Sequence, residues 1–124
     1  MMPRLNFKIL PSLVGQQSAG NCAEIIELND QLRATFKGGR VQMQPSIYDL
    51  DPRLRGRALC VMARYNRFDD ASEHDWGTFI FAGYFFEWRI EYRAKDGFGV
   101  SPDPADPTQT FRVLTLYVVD DLLV

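Results

Sequence analysis

Histidine, cysteine and lysine are scarce in this 124-residue chain. There is one histidine, His74, and there are two cysteines, Cys22 and Cys60. The cysteines have neither CxxC nor metal-ligand spacing, so no zinc-ribbon or dithiol motif is present. Each falls in an expected helix, where a free cysteine acts as a small buried hydrophobe, and both are expected reduced, as in the cytoplasm. No glycine-rich loop leads into a helix. Gly38-Gly39 follows one, and Gly97 to Gly99 lies in a loop, which removes a phosphate-binding loop from consideration. No apolar stretch approaches the ~20 residues that span a bilayer. Arg4 and Lys8 interrupt the apolar run at the start, so no signal peptide is expected and the expected location is cytoplasmic. The net charge is only -2, too small for an overall field that would gather nucleic acid or anionic lipid.

What is abundant is arginine and aromatic surface. Eleven of the fourteen basic residues are arginine. Arginine serves planar recognition of carboxylate and phosphate, although a GC-rich coding sequence produces the same bias. Aromatics reach 13%, concentrated in the second half, where they are expected to dominate the core. The length allows one compact domain.

Residues 1–20 read as an arm. Leu5, Phe7 and Ile9 alternate with polar residues as in a short edge strand, before Pro11, Gly15 and Gly20 break regularity. A first helix is expected from an N-cap at Asn21, with Glu24 completing a capping box. Cys22, Ile25, Ile26, Leu28, Leu32 and Phe36 form its apolar face, and Gly38-Gly39 stop it. Asn29 interrupts that face and needs hydrogen-bond partners, most simply from a neighbouring loop. Residues 40–44 read as a short strand with Val41 and Met43 inward. A second helix is expected over 52–66, capped by Asp51 with Pro52 at its first position. Leu54, Ala58, Val61, Met62 and Tyr65 are its buried stripe. Arg53, Arg57, Arg64 and Arg67 are an adjacent stripe, expected to pair with the acidic loop over 67–76.

Residues 78–82 and 85–93 flank Gly83 as a hairpin, with Phe86, Trp88, Ile90 and Tyr92 facing the core. A long proline-stiffened loop follows. The strand over 110–119 is apolar on both faces and is expected at the centre of the sheet. The fold class is therefore α+β: two helices packed on one face of a mostly antiparallel sheet of four to five strands, in a single domain over 21–124.

Three groups of residues are candidates for function. His74 sits in Glu73-His74-Asp75-Trp76-Gly77. A histidine beside Glu73 and Asp75 is suited to general base catalysis or to metal binding. No nucleophile motif accompanies it, so a structural junction at the mouth of the hairpin competes with catalysis, and Gly77 is expected to serve backbone shape. The loop Ser101-Pro102-Asp103-Pro104-Ala105-Asp106-Pro107 reads as a rigid connector, with Asp103 and Asp106 accepting backbone N–H bonds, or as a recognition loop for an arginine-bearing partner. The arginines Arg53, Arg57 and Arg64 could contact phosphate, although no nucleic-acid motif appears.

Four segments in order resemble an uncharacterised domain-of-unknown-function family of small bacterial proteins, frequent in alphaproteobacteria and on plasmids and integrated elements. They are Leu28-Asn29-Asp30-Gln31-Leu32-Arg33, Gly38-Gly39-Arg40-Val41, Glu73-His74-Asp75-Trp76-Gly77 and the proline loop over 101–107. The usual motif has phenylalanine where this chain has Trp76. The resemblance spans about residues 21–120 and carries no activity across. It implies a mobile-element setting, in which small proteins often inhibit host defence complexes or regulate element maintenance. The leading expectation is thus a non-enzymatic interaction protein, without cofactor or metal, that offers Asp69, Asp70, Glu73, Asp75, Asp103 and Asp106 to a basic nuclease or effector complex. A hydrolase or metal enzyme centred on His74 and a nucleic-acid binder are the alternatives.

Overall fold

A computed structural model describes residues 12–119, with side chains from Cys22 onward. The elements run α1 (Ser12–Thr35), β1 (Arg40–Met43), a 3₁₀ turn (Pro45–Asp49), α2 (Pro52–Ala63), β2 (Trp76–Phe81), β3 (Tyr84–Ala94) and β4 (Thr110–Val119). The strands form one sheet in the order β1-β4-β3-β2. β1 runs parallel to β4, and the other two pairings are antiparallel. The α+β class and the central place of β4 match the sequence reading. The strand expected near residues 5–9 lies outside the described residues.

The start of the first helix does not match. Asn21 is no N-cap, because the helix is already formed from Ser12. Gly15 and Gly20 weaken a helix by about 1 kcal/mol each without stopping it. At its far end Phe36 adopts a left-handed φ of 64°, and its N–H still reaches the Leu32 carbonyl at 2.8 Å. The helix therefore stops before the glycine pair. The second helix is shorter than expected, ending at Ala63 rather than near residue 66. Its cap is as read: Asp51 accepts a 2.8 Å bond from the Arg53 amide, with Pro52 next to it.

The core lies between the helices and one face of the sheet. Phe86, Trp88 and Ile90 of β3 and Leu114 and Leu116 of β4 are fully buried against Leu32 of α1, Ile47 of the 3₁₀ turn, and Ala58 and Met62 of α2. Alternation along each strand puts these side chains on one face. Each large apolar side chain buried here contributes about 1.5–3 kcal/mol. The opposite face carries Glu87, Arg89 and Glu91, with Arg89 donating to Glu87 at 2.7 Å. That contact holds the Arg89 guanidinium above its usual range, against the opposing effect of burial. β2 and β3 join through Ala82 and Gly83, both at positive φ, the turn that matches the strand twist. Among the described residues no helix is long and apolar enough to cross a membrane.

Candidate functional site

Tyr92 and Arg112 are register partners on β3 and β4, at the end of the sheet away from the hairpin turn. Both occupy core-facing positions where the alternation calls for apolar residues. Arg112 is 2% exposed. Its Nε donates to Asn29 Oδ1 at 2.8 Å, and an NH2 group donates to the Pro104 carbonyl. Its guanidinium also lies 5.2 Å from the centre of the Tyr92 ring. Burial pulls the Arg112 pKa down, partly opposed by Tyr92 and Glu73.

Asn29, from α1, is fully buried and saturated. Its two N–H groups donate to the Glu73 carbonyl at 3.0 Å and to the Tyr92 hydroxyl at 2.8 Å, while its oxygen serves Arg112. The Tyr92 hydroxyl in turn donates to Glu73 Oε1 at 3.0 Å. Burial raises the Tyr92 pKa well above its usual value, and the charges of Asp75 and Glu73 add to the rise. An unsatisfied buried amide or hydroxyl would cost about 1–3 kcal/mol, so the full set of partners is what permits Asn29 to interrupt the apolar face of α1.

His74 adjoins this network. Its φ of 60° turns the chain, and its amide donates to Ser72 Oγ at 2.8 Å. The turn sends three consecutive side chains in different directions. Glu73 goes to Tyr92, His74 goes to α1, and Asp75 goes inward with 1% exposure. The partner of His74 is Asp30, not Glu73 or Asp75 as the sequence reading had it. Nδ1 lies 2.9 Å from Asp30 Oδ1, and since a carboxylate only accepts, the proton is on Nδ1. Arg33, one helical turn on, donates to the same oxygen at 3.0 Å. The imidazole stacks on Phe68, with centroids 3.8 Å apart and planes 11° apart. The Arg33 guanidinium lies over the rings of Phe68 and Trp88.

Two glycines mark how tightly this region closes. A Cβ on Gly39 would lie 2.5 Å from the Arg112 carbonyl oxygen. A Cβ on Gly77 would lie 2.6 Å from the Tyr65 ring and 2.8 Å from Trp88 Nε1. Gly77 is thus needed for space, not for the backbone shape expected from the sequence; the unusual φ belongs to His74.

The proline loop is a connector built on short internal bonds. Asp103 accepts from the Ala105 amide at 3.2 Å, and Asp106 accepts from the Thr108 amide at 2.9 Å, as expected of both. Asp106 also accepts from the Thr108 hydroxyl and the Gln109 amide, and these bonds hold its carboxyl below the usual range. Thr110 Oγ1 donates to the Asp103 carbonyl at 2.8 Å, tying the loop to β4.

All four sequence segments therefore converge on Arg112. Asn29 comes from the first, Gly39 from the second, Glu73 from the third and Pro104 from the fourth. The six carboxylates expected as contacts are not all at the surface. Asp69 and Asp70 are exposed, Glu73, Asp103 and Asp106 are half-buried, and Asp75 is buried, so Asp75 is no surface group. Arg53, Arg57, Arg64 and Arg67 are all exposed. Contrary to expectation, no ion pair joins them to the acidic loop among the described residues. Cys60 is exposed, not buried as expected; Cys22 is half-buried, and both are free. Among the described residues no three histidine, cysteine, aspartate or glutamate side chains are placed to hold a metal ion. Sequence reasoning missed Arg112, Tyr92, Asp30 and Phe68. Arg112 carried a signal, since a lone cation stands there in step with Leu114, Leu116 and Val118.

The model of a family described as protein of unknown function (DUF3768) matches residues 45–121, more than half of the chain. The chain belongs to that family. The third and fourth segments fall inside the match and the first two fall before it, so a DUF3768 member here draws part of its central network from residues ahead of the matched region. No curated protein and no solved structure matches the chain.

Proposed function

We propose that this DUF3768 member acts by binding another protein, through carboxylates on two loops held at one end of the sheet. The observation that carries the reading is the double contact of Arg112. One arm holds the Pro104 carbonyl in the loop over 101–107, and the other holds Asn29, which holds the Glu73 carbonyl in the loop over 67–75. Rigid presentation of charge lowers the ordering cost of association and steers a basic partner. The contact set is Asp69, Asp70, Asp103 and Asp106, with Glu73 and Asp75 withdrawn to structural roles. The narrower form is an inhibitor of a defence nuclease, of anti-CRISPR or anti-restriction type; it is supported by the family resemblance alone.

The test is affinity capture from a native host with wild type and with Asp69, Asp70, Asp103 and Asp106 all changed to Asn. The amide keeps the oxygen that accepts each backbone bond, so the fold should survive. Specific partners should be lost with the melting temperature nearly unchanged; partners captured equally by both proteins would end the proposal.

One observation favours a second reading, general base chemistry at His74. The Asp30 carboxylate fixes the tautomer that leaves Nε2 unprotonated, the arrangement a general base requires. Replacement of His74 by Gln should then abolish a hydrolytic activity that Asp30→Asn only weakens. Equal activity in wild type and H74Q would dismiss it.

A further inference from the structure

The free edge of the sheet, at β2, is open for binding. β2 is the last strand of the sheet, and among the described residues nothing pairs with its outer side. The Ile90 amide donates to the Asp75 carbonyl at 2.8 Å, and the two-residue turn closes Phe81 on Tyr84. Antiparallel alternation then directs the N–H and C=O groups of Gly77, Phe79 and Phe81 toward β3, and those of Trp76, Thr78 and Ile80 away from it. Exposed edges are normally blunted by lysine, proline, inward charge or a bulge. The sequence of β2 (Trp-Gly-Thr-Phe-Ile-Phe) has no charge and no proline, and Ile80 is 69% exposed.

A groove of about 590 Å³ runs beside this edge, between β2 and the end of α2. Val61, Phe79, Ile80 and Phe85 supply its apolar wall, and Arg64 and Arg67 supply its charge. Among the described residues no carboxylate lines it. Both arginines are exposed and engage no acid among the described residues. A strand edge, an adjoining apolar groove and two unpaired cations describe the mode in which a peptide adds to a sheet, where main-chain bonds give affinity and pockets for alternate side chains give specificity.

We propose that the β2 edge binds an extended peptide segment of a partner protein bearing Asp or Glu side chains. The segment lies as an added strand along Trp76–Phe81, its alternate apolar side chains in the groove and its carboxylates on Arg64 and Arg67. Arginine forks suit carboxylates in bidentate fashion. Nucleic acid fits less well, because phosphate can accept from the outward N–H groups but cannot donate to the outward carbonyls of Trp76, Thr78 and Ile80. A second copy of this chain fits less well too, since edge-to-edge pairing of two β2 strands would bring four arginines together. Arg67 also opens the loop over 67–75, but the Asp-to-Asn changes leave β2 and both arginines in place, so the two proposals can fail separately.

The test is selection of a displayed library of random short peptides on the full chain. Enriched sequences should alternate β-branched or aromatic residues and carry Asp or Glu. Binding of a selected peptide should fall by roughly tenfold or more in Arg64→Glu/Arg67→Glu, an effect of at least 1.4 kcal/mol. It should also be lost in Ile80→Pro, which removes an outward N–H that β3 does not use. Amide exchange at Thr78 and Ile80 should slow on binding, and the Asp-to-Asn variant of the acidic loops should bind normally. If I80P proves unfolded, the arginine variant and the exchange data decide. No enrichment, enrichment without acidic residues, affinity unchanged in the arginine variant, displacement of the peptide by oligonucleotide, or a dimer joined at β2 would each overturn the proposal.

Discussion

The two ends of this sheet are built on opposite plans. At the Arg112 end the Asn29 amide has all its partners, Gly39 leaves no room for a methyl group, and four distant segments share one network. At the β2 edge, backbone groups point outward, Ile80 stands in solvent and two arginines form no ion pair among the described residues. The first end is where sequence motifs concentrate. Only Trp76 and Gly77, the tail of one motif, reach the second. Dense motifs here mark residues that need one another, and such residues are consumed in holding the fold. Groups left without partners are the ones free to meet something else.

The strongest way to break this comparison is to remove Arg112. Arg112→Met keeps the length and apolar stem but strands Asn29 Oδ1 and the Pro104 carbonyl without donors. Two charge-assisted bonds lost inside the protein should cost about 3 kcal/mol, and lower the melting temperature by about 10 °C. Thermal unfolding followed by circular dichroism measures this. A loss under about 0.5 kcal/mol would mean that the network is not what holds this end together.

Tyr92 sharpens the comparison through pH. Its hydroxyl stands between Asn29 and Glu73, so Tyr92→Phe should cost about 1–2 kcal/mol at neutral pH. The folded-state pKa is raised above the unfolded value of about 10. Above that value the folded protein binds more protons than the unfolded chain, so the stability linked to Tyr92 is complete below about pH 10 and is lost as pH rises through the folded pKa. The stability gap between wild type and Y92F should therefore narrow on going from neutral to strongly alkaline solution. Urea unfolding at several pH values would show it, and a constant gap would contradict a raised tyrosine.

How much of this could be read in the sequence depended on distance along the chain. Both helices, the hairpin and the central last strand follow from local periodicity and were legible, as was the Asp51 cap. The onset of α1 was not, because two glycines resemble a break and Asn21 with Glu24 resembles a start, although glycine only weakens a helix. At the polar network, Asn29 could be identified as needing a loop partner, and Glu73, His74 and Asp75 as a group. Their true partners could not. Asn29 and Arg112 are 83 positions apart, His74 and Asp30 are 44 apart, and no periodic pattern links them. Tyr92 looked like one more core aromatic, since its hydroxyl partners come from other elements. The three different directions taken by the side chains over 73–75 depended on a positive φ at His74, where no glycine announced it.

The smallest expected effect tests the other half of the comparison. Ile80→Thr replaces one β-branched strand residue with another at a position 69% exposed, so strand propensity is nearly conserved and little buried area is lost. Stability should stay within about 0.5 kcal/mol of wild type. If instead I80T destabilised the protein as much as Y92F, then Ile80 would be supporting the fold and the β2 edge would not be a surface held in reserve. A neutral result combined with loss of peptide binding would separate the two ends by role: one whose side chains are committed to the fold, and one whose side chain the fold can spare because its contact is made elsewhere.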